Sequence, residues 1–119
     1  MLNSSSNASA TESALPDAVR EEFLLQKAGQ HSRQRRFDLA LQDCEELLHL
    51  DSTHPQALRI KACVSEAHQE WGKAAYSYLE GLAGSPDDPV LRQGFDTALA
   101  LIRNQSPKAQ IKVMFPKPL

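Results

Sequence analysis

The sequence predicts an all-α chain of about five helices, arranged as antiparallel helix hairpins. Three observations predict it. Aromatic residues are only 6% of the chain, too few for the strands of a sandwich or barrel, which draw heavily on Tyr, Trp and Phe. Apolar residues recur every three or four positions over most of the length, the spacing of one helix face. The chain also slides against itself by 34 residues without a gap and keeps its apolar positions in register.

Residues 1–17 are small and polar and are expected to form a disordered leader, because they bury too little area to offset the entropy of ordering. The first helix is expected from Asp17, read as an N-cap, to Gln34, with Glu21 and Glu22 near its positive end and Leu24, Ala28 and His31 on one face. The second runs from Phe37 to Leu50. Phe37, Ala40, Leu41, Cys44, Leu47 and Leu48 form one apolar stripe, and Asp43, Glu45 and Glu46 read as its solvated outer face. Ser52, Thr53 and His54 break the pattern.

Pro55 then opens a third helix, where the N–H it lacks would have no partner in any case, and that helix reaches about Gln69. Its apolar positions are Ala57, Ile60, Val64 and Ala67, with Leu58 and Ala62 beside them. The fourth helix, from Trp71 to Ala83, carries Trp71, Ala74, Ala75, Tyr78 and Leu82 on one side. Gly84 to Pro89 is a turn cluster in which Asp88 can cap a fifth helix, carrying Leu91, Phe95, Ala98, Leu99 and Ile102 and ending near Asn104. Residues 105–119 are expected to be a flexible tail, and its apolar run Ile111 to Phe115 is the segment that would dock if any part of it does.

Composition narrows the function classes. At 119 residues the chain is read as one small domain with tails, placed at 18–104. A formal net charge of −2 argues against nucleic-acid binding driven by bulk charge. No apolar run approaches the roughly 20 residues that span a bilayer. The leader has no apolar core of a secretory signal, and two cysteines, Cys44 and Cys63, do not make a disulfide scaffold, so a reducing, cytoplasmic setting is the expectation.

The 34-residue offset pairs Leu24 with Leu58, Lys27 with Lys61, Ala28 with Ala62, Phe37 with Trp71, Ala40 with Ala74, Cys44 with Tyr78, Leu48 with Leu82 and Pro55 with Pro89. Small residues stand where two helices cross closely, and large ones where a helix begins and must fill the space left by a turn. This pattern resembles the tetratricopeptide repeat, whose period is also 34 residues. Residues 21–54 and 55–88 each resemble one repeat, and residues 89–104 resemble the helix that covers the last one. Departures from the pattern are Lys27-Ala28 and Lys61-Ala62 for the usual Leu-Gly, Leu47 for a small residue, and Ser52 for the closing Pro. The resemblance implies a right-handed superhelix of helix hairpins, an α-α solenoid. The rival is an unrelated bundle, which has no reason to keep a gapless register.

Catalytic and metal-binding patterns are not found. His31, His49, His54 and His68 make no i, i+4 pair, the two cysteines do not make a C-x-x-C motif, and no Gly-rich phosphate loop or nucleophile elbow occurs. His31 and His68 read as surface or turn-facing, Cys44 as a core residue, and Cys63 as a residue facing a groove. The expectation is a non-enzymatic protein without cofactor or metal. Arg33, Arg35 and Arg36 form a basic knot at a turn, read as a solvated loop near a helix C-terminus, with an RNA phosphate as the weaker alternative.

By the resemblance, the first helix of each pair lines a concave groove that takes a peptide or helix of a partner protein, as in an adaptor, co-chaperone or scaffold subunit. That row holds Glu22, Leu25, Gln26 and Gly29, then Gln56, Arg59, Ile60 and Cys63, then Val90, Gln93, Gly94 and Thr97. The family's clamp for a chaperone's terminal carboxylate needs Lys, Arg and Asn, where this chain has Leu25, Gly29, Ile60, Val90 and Gly94. A mixed apolar groove is therefore expected. The alternative is self-association, a homodimer covering an open end, since two repeats and one helix make a small core.

Overall fold

The structure is a computed structural model and describes residues 15–105. It holds five helices: α1 (Asp17–Arg33), α2 (Phe37–Leu50), α3 (Pro55–Ala67), α4 (Trp71–Gly84) and α5 (Pro89–Gln105). The fold is all-α, with no strand among the described residues. Two compact units are present, Met1–Ser52 and Thr53–Leu119. The first contains α1 packed on α2. In the second, α3 packs on α4 and α4 on α5. The leader and tail expected at the two ends lie outside the described residues, apart from Leu15, Pro16, Asp17 and Gln105.

Each hairpin turns through three residues, and the two turns share one geometry. The backbone N–H groups of Gln34, Arg35 and Arg36 donate to the carbonyls of Gln30, Ser32 and His31 at 3.0, 3.0 and 2.8 Å. Those of His68, Gln69 and Glu70 donate to the carbonyls of Val64, Glu66 and Ser65 at 3.2, 2.9 and 2.8 Å. Arg35 has φ 61° and Gln69 φ 60°, the only non-glycine residues with positive φ among those described. The residues that follow, Arg36 and Glu70, start the next helix with ψ of 73° and 74°. Every one of these correspondences has an offset of 34 residues.

Helix starts follow the same offset. Asp88 Oδ1 accepts from the N–H groups of Val90 and Leu91 at 2.9 and 3.2 Å, capping α5 ahead of Pro89. His54 caps α3 ahead of Pro55, its Nδ1 accepting from Ala57 N–H at 3.2 Å. His54 is 3% exposed, so the residue read as a break in the pattern is a buried cap. Asp17, in contrast, is the first helical residue rather than the N-cap. Pro16 holds the cap position, and no side chain bonds to the free N–H groups there.

In the first unit Leu24, Ala28, Ala40, Cys44 and Leu47 are buried. Asp43 corrects the reading of α2's outer face: it is 6% exposed, and only Glu45 and Glu46 are solvated. His31 is likewise engaged rather than merely turn-facing, with Nδ1 2.7 Å from Asp43 Oδ2. In the second unit, Ala62, Ala74, Ala75, Tyr78, Leu82, Leu91 and Ala98 form one apolar cluster, and Phe95, Leu99 and Ile102 pack against it. The buried stripe of α3 is Ala57, Leu58, Ala62 and Val64, so Ala67 is exposed and Ile60 half-buried.

Two glycines set how closely helices approach in this unit. A Cβ at Gly81 would stand 2.9 Å from Leu91 Cδ1, and one at Gly94 would overlap the ring of Tyr78. Gly72 meets nothing within 4 Å. Gly94→Ala should therefore destabilise the protein by about 1–3 kcal/mol, through overpacking against a buried ring. Gly72→Ala should instead stabilise it by about 0.5 kcal/mol, because alanine loses less backbone entropy in a helix. Urea denaturation of the two variants beside the parent checks both signs.

Candidate functional site

The first turns of α3 and α5 run beside one another and enclose a cleft of about 280 Å³, lined by Pro55, Gln56, Arg59, Asp88, Val90 and Leu91. Proline at the first position of each helix and the caps of His54 and Asp88 fix these two turns. Leu91 is buried and closes the floor, where it reaches Gly81. Val90, 53% exposed, is the apolar wall, and Arg59 and Gln56 are exposed on the opposite side. The cleft thus joins an apolar wall, a cation and a side-chain amide, beside the carboxylate of Asp88 that is already committed to capping.

Further along α3, Cys63 is exposed and lies one helical turn from Arg59. The Tyr78 hydroxyl donates to Glu66 Oε2 at 3.1 Å and is within hydrogen-bond reach of the Cys63 thiol. Burial pushes the Cys63 thiol up from its usual range, and the Glu66 carboxylate adds to this, while the Tyr78 hydroxyl and the Arg59 cation oppose it. The Tyr78 phenol is also pushed up, first by burial, then by Cys63 and Glu66. The neutral forms of both groups are favoured, so Cys63 is a poor nucleophile near neutral pH.

Of the residues expected to form a binding row, Gln56, Arg59 and Val90 share this cleft. Cys63 and Gly94 both meet Tyr78, one at its hydroxyl and the other at its ring. Gly94 is half-buried, and a Cβ there would overlap the Tyr78 ring. Ile60 is half-buried, and Gln93 and Thr97 are exposed on α5. On α1, Glu22 and Gln26 are exposed, Leu25 and Gly29 are half-buried, and the Arg33 guanidinium lies beside Gly29.

Asp88 and Leu91 also line the cleft, and sequence reasoning assigned them only to capping and core. Both roles hold, and the cleft arises because they come at the start of a helix. Arg33, Arg35 and Arg36 are exposed, with the Arg35 guanidinium 5.2 Å from the centroid of the Phe37 ring. Among the described residues, no group of three or more His, Cys, Asp or Glu side chains is placed to hold a metal ion. No helix among them is long and apolar enough to cross a membrane.

The chain matches no protein-family model, no curated protein and no solved structure.

The Cys63 environment makes a measurable prediction. A thiol whose pKa is raised in the fold loses stabilisation only as pH rises past its unfolded value of 9.0, so below that value the folded thiol stays protonated. Its reaction with a disulfide reagent at pH 8 should be slower than that of the same cysteine in urea-unfolded protein. Glu66→Gln should speed the folded-state reaction by removing a repelling charge. A folded-state rate equal to the unfolded one would contradict this assignment.

Proposed function

We propose that this chain is a tetratricopeptide-like binding module, and that it takes a peptide or helix of a partner protein along the face made by α3 and α5. The observation that supports it most is the cleft between the two capped helix starts. It brings together Gln56, Arg59 and Val90, three members of the row that the tetratricopeptide resemblance implies for partner binding. An exposed valine beside an arginine and a glutamine suits an amphipathic segment, whose apolar side chain enters against Val90 while its polar groups meet Arg59 and Gln56. The repeated turn at Arg35 and Gln69 supports reading the two hairpins as repeats of one unit. On this reading the protein acts by holding a partner, as an adaptor or scaffold subunit in the cytoplasm, and carries out no chemistry of its own.

A second reading rests on exposed apolar side chains of the first unit. Val19 is 50% and Phe23 38% exposed, four residues apart on α1, and Leu39 on α2 is 38% exposed. A homodimer would cover them.

One experiment separates the two. Intact protein and an Arg59→Glu/Val90→Asp variant are used as baits in cell extract, and the mass of each is measured by light scattering. Both substitutions are at exposed positions and should leave the helical content unchanged. The binding reading predicts a protein retained by the parent and lost by the variant, with no change in mass. Equal retention by both baits would sink it, and a dimeric mass reduced by Phe23→Glu would favour the second reading.

A further inference from the structure

The first hairpin holds a nearly buried anion between its helices. Asp43 on α2 is 6% exposed, with Oδ2 2.7 Å from His31 Nδ1 and Oδ1 3.7 Å from Lys27 Nζ, both donors coming from α1. Moved on by 34 residues, these three positions are Lys61, Ser65 and Ser77 of the second hairpin. The lysine is kept, while the acid and the histidine are both replaced by serine. Serine is shorter and uncharged, and a cleft of about 400 Å³ lies at this place, lined also by Lys73, Tyr76 and Glu80.

The charges in the cleft are unequally committed. Lys73 pairs with Glu70 at 3.2 Å. Lys61 has no ion-pair partner among the described residues. Ser65 Oγ donates to the Lys61 carbonyl at 3.3 Å, and Ser77 is 4% exposed at the inner end. Tyr76 is 63% exposed at the rim, where its ring and hydroxyl are open to a ligand.

We infer that this cleft receives a single carboxylate side chain, an Asp or Glu of a peptide, in the place that Asp43 fills in the first hairpin. Lys61 supplies the charge, the Ser77 hydroxyl a donor, and Tyr76 a surface for the peptide chain. Glu80 lines the same cleft and opposes any anion in proportion to its charge, so the site favours one carboxylate over a phosphate dianion or an acidic run. The cleft shares no residue with the one between α3 and α5, and the inference does not depend on that site's function.

The test uses a short alanine peptide with one central Glu and blocked ends, its Gln counterpart, and inorganic phosphate. Backbone amide shifts of the full chain are followed at low ionic strength. The Glu peptide should give saturable shifts at Ser65, Tyr76 and Ser77, and the Gln peptide none. Lys61→Gln should weaken binding about tenfold through loss of the charge-assisted contact. Ser77→Asp, which supplies the carboxylate internally, should abolish it, and Arg59→Glu should leave it unchanged. Equal shifts with the Gln peptide, no shifts with either peptide, parental affinity in Lys61→Gln, or tighter binding of phosphate than of the Glu peptide would each overturn the assignment. Lys61→Gln alters a half-exposed side chain and keeps the test decisive should Ser77→Asp fail to fold.

Discussion

Each hairpin depends on a turn of three residues that reverses the chain by placing one residue in the left-handed region. At Arg35 and Gln69 the backbone adopts φ near 60°, which costs an L-residue other than glycine on the order of 1 kcal/mol. Three backbone hydrogen bonds close each turn and hold that conformation. Without it, α2 would not return along α1, nor α4 along α3. The buried alanines of these helices would then have no neighbouring helix close enough to need a small side chain.

The second hairpin builds on its turn to make the more elaborate surface. Because α4 comes back close to α3, Gly81 and Gly94 let α5 settle against α4, with Leu91 and the Tyr78 ring in the spaces the glycines leave. The start of α5 is thereby set beside the start of α3, and two capped helix ends frame one cleft. The same Tyr78 that Gly94 packs against reaches Glu66 and Cys63 with its hydroxyl, which ties the core to the exposed face of α3.

Much of this was legible in the sequence, and the exceptions have physical reasons. Pro55, Pro89 and the apolar stripes locate the helices because proline and hydrophobic spacing act locally. Asp43 reads as solvated in the sequence because Glu45 and Glu46 follow it closely on the same helix. Only the opposing helix shows that Lys27 and His31 compensate it. The cap of His54 is hard to read from the sequence because histidine is an uncommon cap, although its offset of 34 residues from Asp88 carries the signal. The contact of Gly94 with the Tyr78 ring is not legible in the sequence, because a glycine at a helix surface gives the same pattern whether a ligand or a tyrosine ring lies above it. The cleft itself is half visible in the sequence: the resemblance implies one row for Gln56, Arg59 and Val90, while the part played by Asp88 and Leu91 depends on the packing of α5.

The central claim is that the two hairpins are one structural unit written twice, and glycine scanning of the two turns tests it most directly. Stability is measured for Arg35→Gly and Gln69→Gly, and for glycine one residue earlier, at Gln34 and His68. Glycine relieves strain only where φ is positive, so each left-handed variant should be about 1 kcal/mol more stable than its neighbour, at both turns alike. If one turn follows that order and the other reverses it, the two hairpins do not share a geometry and the account fails.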